Sequence, residues 1–446
     1  MFGSGLLGKT RVPHNKNTAH AESVRMSAPS EVLLPTSQHI GAHAEPTVKV
    51  GDEVRVGQKI AEAAGTVSAP IYASVSGKVS AIETYLRFDG RRVPAIRIVS
   101  DGEMTVADGI APVDVSSAEE LISAVRESGI VGLGGAGFPT AVKLEALKNG
   151  TVDTVIINCA ECEPYITSDT RAMLEDGEWI WRGIAILETC VDSVGRYVFG
   201  IEKNKPECIS AMRELFSKNP KVEIVSLPSL YPQGAEKVLI YNTCRRVVPE
   251  GKLPADVGVL VINVSTLAAI AKYISTGMPL VERRVTLDGS AVAEPKNIIA
   301  PIGTSIRDLI EFGGGLRETA GKVLFGGPMT GNAACSLDEP IIKTTGAITV
   351  MTEAESLAVE ESDCIHCGRC VSSCPLSLVP TAFSKALQIE SKEDRIASLE
   401  EYSVMLCMEC GCCSYVCPAK LPLVQNNRLA KNELRDYRSH QAMLKK

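Results

Sequence analysis

The sequence predicts a multidomain α/β protein in four parts: a small β domain, a central parallel sheet covered by helices, a compact α+β module and a helical, cysteine-rich end. Three observations predict it. Short apolar runs broken by Gly and Asp fill residues 32–99. Longer apolar runs at 152–158, 196–201, 222–227 and 257–263 then alternate with helical patterns at 178–192, 206–218 and 234–243. Such alternation suits parallel strands with helices on both faces. Finally, nine of the 15 cysteines lie between Cys364 and Cys417.

The bulk numbers allow this division. A chain of 446 residues, 45% hydrophobic and 22% charged, is long enough for several packed domains. A net charge of −7 argues against a general nucleic-acid binder, which normally carries a basic excess. Met1 to Thr18 lacks a hydrophobic signal core, and no apolar run reaches the length of a membrane-spanning helix. The expectation is a cytoplasmic chain held at a membrane only through partners. Fifteen cysteines in such a chain point to metal or redox chemistry, because disulfides rarely persist in reducing compartments.

Taken in order, residues 1–31 form an N-terminal segment and 32–105 the β domain, with Val48-Lys49-Val50-Gly51-Asp52 and Val75-Ser76-Gly77-Lys78-Val79 as strand-and-turn units. This stretch resembles the biotinyl/lipoyl barrel-sandwich fold. The turn that presents the modified lysine there reads Val67-Ser68-Ala69-Pro70 here, so no swinging arm is expected. The central domain spans 106–278. Its first helix starts with the capping-box spacing Ser117-Ala118-Glu119-Glu120, shows one apolar face at Leu121, Ile122 and Val125, and stops at Gly129. Residues 279–352 form the α+β module, with strands at Arg284-Val285-Thr286-Leu287 and around Val323-Leu324-Phe325, a helix at about 305–312, and Gly313-Gly314-Gly315. A cysteine-rich domain at 353–425 and a polar, basic tail at 426–446 complete the chain.

Cys364, Cys367, Cys370 and Cys374 with Pro375 give C-x2-C-x2-C-x3-C-P, and Cys407, Cys410, Cys413 and Cys417 with Pro418 repeat it. This is the two-cluster bacterial ferredoxin spacing, in which the fourth cysteine of each run ligates the other cluster. One [4Fe–4S] cluster thus takes Cys364, Cys367, Cys370 and Cys417, and the other Cys407, Cys410, Cys413 and Cys374. Zinc ligands come as two separated pairs rather than as three plus one before a proline, which favours clusters over zinc. Cys412 would break the repeat and is read as a bystander.

The glycine-rich stretch from Gly129 to Thr140 contains Gly132, Gly134, Gly135 and Gly137 and leads into a helix with Pro139 near its start and Gly150 just past its end. Glycines let backbone N–H groups approach a phosphate, and a helix N-terminus favours an anion. The order differs from the Rossmann fingerprint, in which the loop follows a strand. The next strand runs into Asn158-Cys159-Ala160-Glu161-Cys162-Glu163-Pro164, which puts amide and carboxylate groups at a strand's C-terminal end, where open α/β sheets bind ligands. Taken singly, Cys159 and Cys162 also suit a core and Glu161 an exposed surface.

The loop and the Asn158–Pro164 segment together resemble the RnfC family, a subunit family of the Rnf complex, which is a ferredoxin:NAD oxidoreductase. The centre of that family is similar to the NADH-binding flavoprotein subunit of respiratory complex I. The resemblance runs from Pro35-Thr36-Ser37-Gln38-His39-Ile40-Gly41 through Tyr231-Pro232-Gln233-Gly234 to the cysteine runs. It implies noncovalent FMN held by Gly132, Gly134, Gly135, Gly137, Asn158, Glu161 and Asn263. It also implies NAD(H) as substrate beside Phe138, Lys143, Glu163 and Glu236, with Gly234 among the cofactor-site residues. The central domain is then Rossmann-like, the 279–352 module an SLBB-type β-grasp, and the C-terminal domain ferredoxin-like. Ala160 stands where complex I carries aspartate, as in the Rnf branch, and Ala235 stands where a glycine is expected.

A flavin links two-electron hydride transfer to one-electron clusters. The implied function is therefore an electron-exchanging subunit at the cytoplasmic face of a bacterial membrane. Its partners would be the other Rnf subunits, NAD(H) and, through another subunit, ferredoxin, and no nucleic acid is expected. Two alternatives stay open: a related cobalamin reductase of bacterial microcompartments, and a non-catalytic iron–sulfur relay.

Overall fold

The computed structural model describes residues 7–444 apart from Lys9, Phe88 and Ala358. The β domain is a pair of small sheets. One orders the strands Glu31–Pro35, Arg92–Ser100, Gly77–Leu86 and Glu53–Val54; the other orders Glu45–Pro46, Lys59–Glu62 and Ile71–Tyr72. Alternation makes the core: Val32 pairs with Ile98 and Leu34 with Ile96, and all four side chains turn inward with Ile60, Ile71 and Val79. The Val67–Pro70 turn is not presented to solvent. Ser68 and Ala69 are buried, and the Ala69 N–H donates to His39 Nε2 at 3.1 Å.

The central domain is the predicted parallel sheet, ordered Val222–Leu227, Arg196–Glu202, Thr154–Asn158, Val259–Asn263. Alternate residues face opposite layers, Val155 and Ile157 into one core and Ile156 into the other. The helices are α1 (Ala118–Glu127), α2 (Thr140–Leu144), α3 (Ser168–Glu175), α4 (Gly177–Cys190), α5 (Pro206–Leu215), α6 (Glu236–Cys244) and α7 (Val264–Thr276). Of these, α3 and α7 lie outside the patterns read from the sequence. Ser117 Oγ caps α1 by accepting from Glu120 N at 3.2 Å. The reciprocal arm of the capping box shifts by one residue, because the Glu120 carboxylate takes the Ser116 N–H at 2.8 Å. Gly129 ends the turn with φ +69°.

The α+β module has a six-stranded sheet ordered Val24–Arg25, Lys296–Pro301, Glu282–Asp288, Ala347–Thr352, Ala320–Phe325, Asn332–Ala333. The N-terminal segment supplies the edge strand, pairing Val24 with Ile298. It also straps the central domain, where Leu7 exchanges backbone hydrogen bonds with the Asn242 amide at 2.9 Å and Thr10 bridges to Tyr231. Residues 1–6 and 445–446 lie outside the described residues.

The cysteine-rich domain is helical, as expected, but the residues read as a polar tail form most of its longest helix, Leu423–Leu444. Ala430 and Leu434 of that helix are buried with Phe383, Leu399 and Val404. Its composition is polar because only one face is buried, so it belongs to the domain core and not to a tail.

Candidate functional site

In the central sheet the chain runs outward from the 154–158 strand to its neighbours at 196–202 and 222–227, then returns to the other side at 259–263. The switch point of the topology therefore lies between the 154–158 and 259–263 strands, the crevice where open α/β sheets take ligands. Asn158 and Asn263 are register partners at its lip. Asn158 Nδ2 donates to Gly234 O at 2.9 Å, and its Oδ1 accepts from Ala160 N at 3.1 Å. Asn263 caps α7 by accepting the Thr266 N–H at 3.2 Å, and its Nδ2 donates to Asp169 Oδ2 at 2.7 Å.

The glycine loop crosses this crevice. Leu133 N donates to Thr266 Oγ1 at 2.9 Å, fixing the loop to the first turn of α7. A Cβ at Gly134 would stand 2.4 Å from Asn263 Nδ2, so only glycine allows the contact. At Gly135 a Cβ would meet nothing within 4 Å; that position faces the open side of the loop. The residues fit a flavin phosphate: glycine backbone, a helix N-terminus and the Arg283 guanidinium, whose Nη2 donates to Leu133 O at 3.1 Å while its buried Nε lacks an acceptor among the described residues.

The structure places the remaining predicted residues in two groups. Lys143 Nζ pairs with Glu236 Oε2 at 2.7 Å, and Phe138 is exposed nearby in sequence at the end of the loop. The two carboxylates of the Asn158–Pro164 segment have other partners. Glu161 caps α3: its Oε1 accepts from Asp169 N at 2.8 Å and its Oε2 from Thr170 N at 3.2 Å and Thr170 Oγ1 at 2.7 Å. Burial pushes its pKa up, against the pull of Lys16. Glu163 accepts from Met329 N at 3.2 Å and from Thr330 Oγ1, and burial raises its pKa too.

Sequence reasoning missed the residue that shapes this segment, Lys16. Its Nζ donates to Glu161 O at 2.8 Å, Glu163 O at 2.7 Å and Ile166 O at 2.5 Å. Beside it lies a buried ion pair, Lys205 Nζ to Glu202 Oε2 at 2.6 Å. Asp169 and Arg283 were missed as well. Asp169, a few residues past the motif, had a local signal in Ser168-Asp169, a helix-start pair; Lys16 and Arg283 had none.

Each cysteine run wraps a cavity and lends its fourth member to the other. One cavity is lined by Cys364, Cys367, Cys370 and Cys417, the second by Cys407, Cys410, Cys413 and Cys374. The wrapping has a repeated backbone basis. His366 (φ 55°) and Gly368 (φ 70°) occupy the same places in the first loop as Glu409 (φ 57°) and Gly411 (φ 79°) in the second. Left-handed residues alternating with ordinary ones, here on either side of Cys367 and Cys410, curl a chain and point N–H groups inward, which suits a sulfur cluster. The long C-terminal helix supports the second cavity. Asn427 Nδ2 lies 3.5 Å from Cys407 Sγ and 3.8 Å from Cys413 Sγ, and Lys431 Nζ donates to Cys407 O at 2.7 Å. Cys412 also lines this cavity, yet it packs against Val12 and Tyr231.

That packing joins the two sites. Cys410 and Cys412 meet Cys162, Tyr231 and Met329 in one apolar cluster. A Cβ at Gly411 would stand 2.5 Å from Met329 O, and one at Gly327 would stand 2.6 Å from Glu163 Oε2. The 327–330 turn of the α+β module is thus held between the second cysteine loop and the Asn158–Pro164 segment.

Comparison with known proteins gives four family matches in chain order: the RnfC barrel sandwich hybrid domain at 6–103, the Nuo51 FMN-binding domain at 125–272, the SLBB domain at 284–333 and the 4Fe-4S dicluster domain at 360–421. The chain is 44% identical to the subunit designated C of the proton-translocating ferredoxin:NAD(+) oxidoreductase complex of Clostridium ljungdahlii, over 94% of this chain and 92% of that one. The chain belongs to the RnfC family. It is also 41% identical to the corresponding subunit of the Na(+)-translocating complex of Acetobacterium woodii, over 91% of each chain. To the corresponding subunit of the ion-translocating oxidoreductase complex of Rhodobacter capsulatus it is 39% identical, over 96% of this chain and 83% of that one. As an RnfC-family member the chain carries an FMN-binding domain and a two-cluster [4Fe–4S] domain. Among the described residues of this RnfC chain, no helix is long and apolar enough to cross a membrane.

Proposed function

We propose that this chain is the nucleotide-exchanging subunit of a membrane-bound, ion-translocating ferredoxin:NAD+ oxidoreductase, working at the cytoplasmic face. Its family membership and the FMN-binding and dicluster matches support this reading. The observation that carries it is the junction of Cys410 and Cys412 with Cys162, Tyr231 and Met329, which sets the second cysteine cavity against the segment leading out of the flavin crevice. Bound FMN would convert a hydride's electron pair into single electrons, which the two clusters can carry.

The chain's own residues bind and position. In this reading Gly132, Gly134, Gly135 and Gly137 turn backbone N–H groups toward the flavin, and Asn158 and Asn263 hold the two strand ends that frame it. Lys143, paired with Glu236 until an anion arrives, attracts the nucleotide phosphates, and Phe138 and Gly234 line the approach. Glu161 acts through α3, whose N-terminus it fixes. Glu163 acts through the 327–330 turn, keeping the cluster domain docked. The cysteines ligate as the two cavities group them. The comparisons give no support to the corrinoid alternative.

The test is anaerobic purification with assay of iron, sulfide and FMN, followed by NADH:ferricyanide activity. About eight iron and eight sulfide, as two [4Fe–4S] clusters require, with about one FMN and NADH oxidation are expected. Zinc without sulfide, or no nucleotide oxidation by flavin-loaded chain, would contradict the reading.

A further inference from the structure

Two basic side chains of the α+β module reach back to the glycine loop, and neither forms an ion pair with a carboxylate among the described residues. Lys343, 1% exposed, donates from Nζ to Pro70 O at 2.6 Å and Gly129 O at 2.7 Å. Arg283, 6% exposed, donates from Nη2 to Leu133 O at 3.1 Å, and its Nε has no acceptor among the described residues. The acidic side chain that acts on Arg283 is Asp169. Asp169 has already committed one oxygen to Asn263 Nδ2 at 2.7 Å and the other to Ser265 Oγ at 2.6 Å.

A guanidinium removed from water with its nearest carboxylate held by other donors and out of hydrogen-bond contact is disfavoured, and an unpaired buried donor adds to the cost. Burial lowers the Arg283 pKa only to about 10, so it stays a cation at neutral pH. A fold that keeps such a group calls for an anion beside it. The surroundings say where that anion binds. Leu133 opens the loop, its N–H is tied to Thr266 in the first turn of α7, and Gly134 lies on the α7 cap residue Asn263. Loop N–H groups, a helix N-terminus and a buried cation with a spare donor therefore converge on one corner.

We infer that Arg283 is the permanent countercharge for the phosphate group of the flavin bound at the glycine loop, with Lys343 clamping the loop's start. The α+β module then takes part in flavin binding although it lies outside the FMN-binding domain match at 125–272. This rests on the flavin-site reading above and adds a positioning residue to it. Arginine suits the task because its fork can hold a backbone carbonyl with one N–H and an oxyanion with another.

The test is fluorescence titration of flavin-stripped full-length chain with FMN and, separately, with riboflavin, which lacks the phosphate. Wild type should prefer FMN by at least about tenfold, the scale of one charge-assisted hydrogen bond. Arg283→Gln keeps a donor for Leu133 O but loses the charge. It should weaken FMN about 10- to 100-fold and leave riboflavin within about threefold, with Arg283→Lys between it and wild type. Equal weakening of both ligands in Arg283→Gln would overturn the inference and leave the flavin site standing. So would equal affinity of wild type for FMN and riboflavin, a result that needs no variant to fold. If wild type takes up neither flavin, the flavin-site reading fails and this inference fails with it.

Discussion

At the scale of single residues, the two cysteine runs were legible because their chemistry is written in local spacing, and two cavities of the structure are lined by the two sets of four proposed as ligands. Cys412→Ser tests the register. Cys412 packs on Val12 and Tyr231, so its serine variant should keep about eight iron, whereas Cys413→Ser should fall to about four, one [4Fe–4S] cluster fewer. The reverse pattern in an iron assay would show that the wrong thiol had been chosen. Glu163 was legible as a carboxylate at a strand end but not as an anchor, because its partners Met329 and Thr330 lie far along the chain. Glu163→Ala removes the acceptor for the part-buried Met329 N–H, a cost of at most about 1–3 kcal/mol. We expect it to slow electron passage from nucleotide to clusters while ferricyanide reduction stays within about threefold, a band narrower than the roughly tenfold change that 1.4 kcal/mol brings. Stopped-flow absorbance separates the two; equal loss of both would place Glu163 in the nucleotide pocket.

At the scale of elements, the strands were legible from their apolar runs, while α7 was not. Asn263 is both the last residue of a strand and the cap of α7, so apolar strand passes into apolar helix with no Gly or Pro between them. The short, polar α3 was hidden because its stability comes from Glu161, outside the helix. The glycine loop gives a paired test. Gly135→Val adds its Cβ where no described residue lies within 4 Å, so the melting temperature of the apo-flavin chain should move by no more than about 2 °C, the shift of a change well under 1 kcal/mol, while FMN is lost. Gly134→Ala collides with Asn263 and should lower the melting temperature as well. A Gly135→Val chain that retains stoichiometric FMN would refute the loop assignment. The loop's clamp gives a pH test. Burial pulls the Lys343 pKa down from 10.5 to about 7. Between those values the unfolded chain holds more protons than the folded one, so stability rises with pH, by up to about 1.4 kcal/mol per unit. The melting temperature of wild type relative to Lys343→Met should therefore climb from pH 7 to 9; a constant difference would mean that Lys343 is not buried as a base.

At the scale of the whole molecule, the order of the four parts was legible, but the connections that make them one body were not. The N-terminal strap depends on pairings such as Val24 with Ile298 and Lys16 with Glu161, and no short-range pattern announces a partner so far along the chain. The C-terminal helix looked like a tail because only residues such as Ala430 and Leu434 turn inward. Among the described residues, the main cores of the β domain, the central domain and the α+β module use no residue past Val350, and only the small cluster at Cys162, Tyr231 and Met329 draws on Cys410 and Cys412, so a chain ending at Glu353 should fold, bind FMN and reduce ferricyanide with NADH. The central claim is that nucleotide and clusters exchange electrons within this one chain by way of the flavin. Its most direct test is to reduce the full-length chain anaerobically with dithionite, remove the excess, add NAD+, and follow NADH by absorbance and the clusters by electron paramagnetic resonance. FMN-loaded wild type should form NADH as its clusters reoxidise, while flavin-free Gly135→Val and the chain ending at Glu353 should show no such coupled exchange. NADH formation with cluster reoxidation in the flavin-free chain, or clusters that stay reduced in the loaded one, would contradict the account.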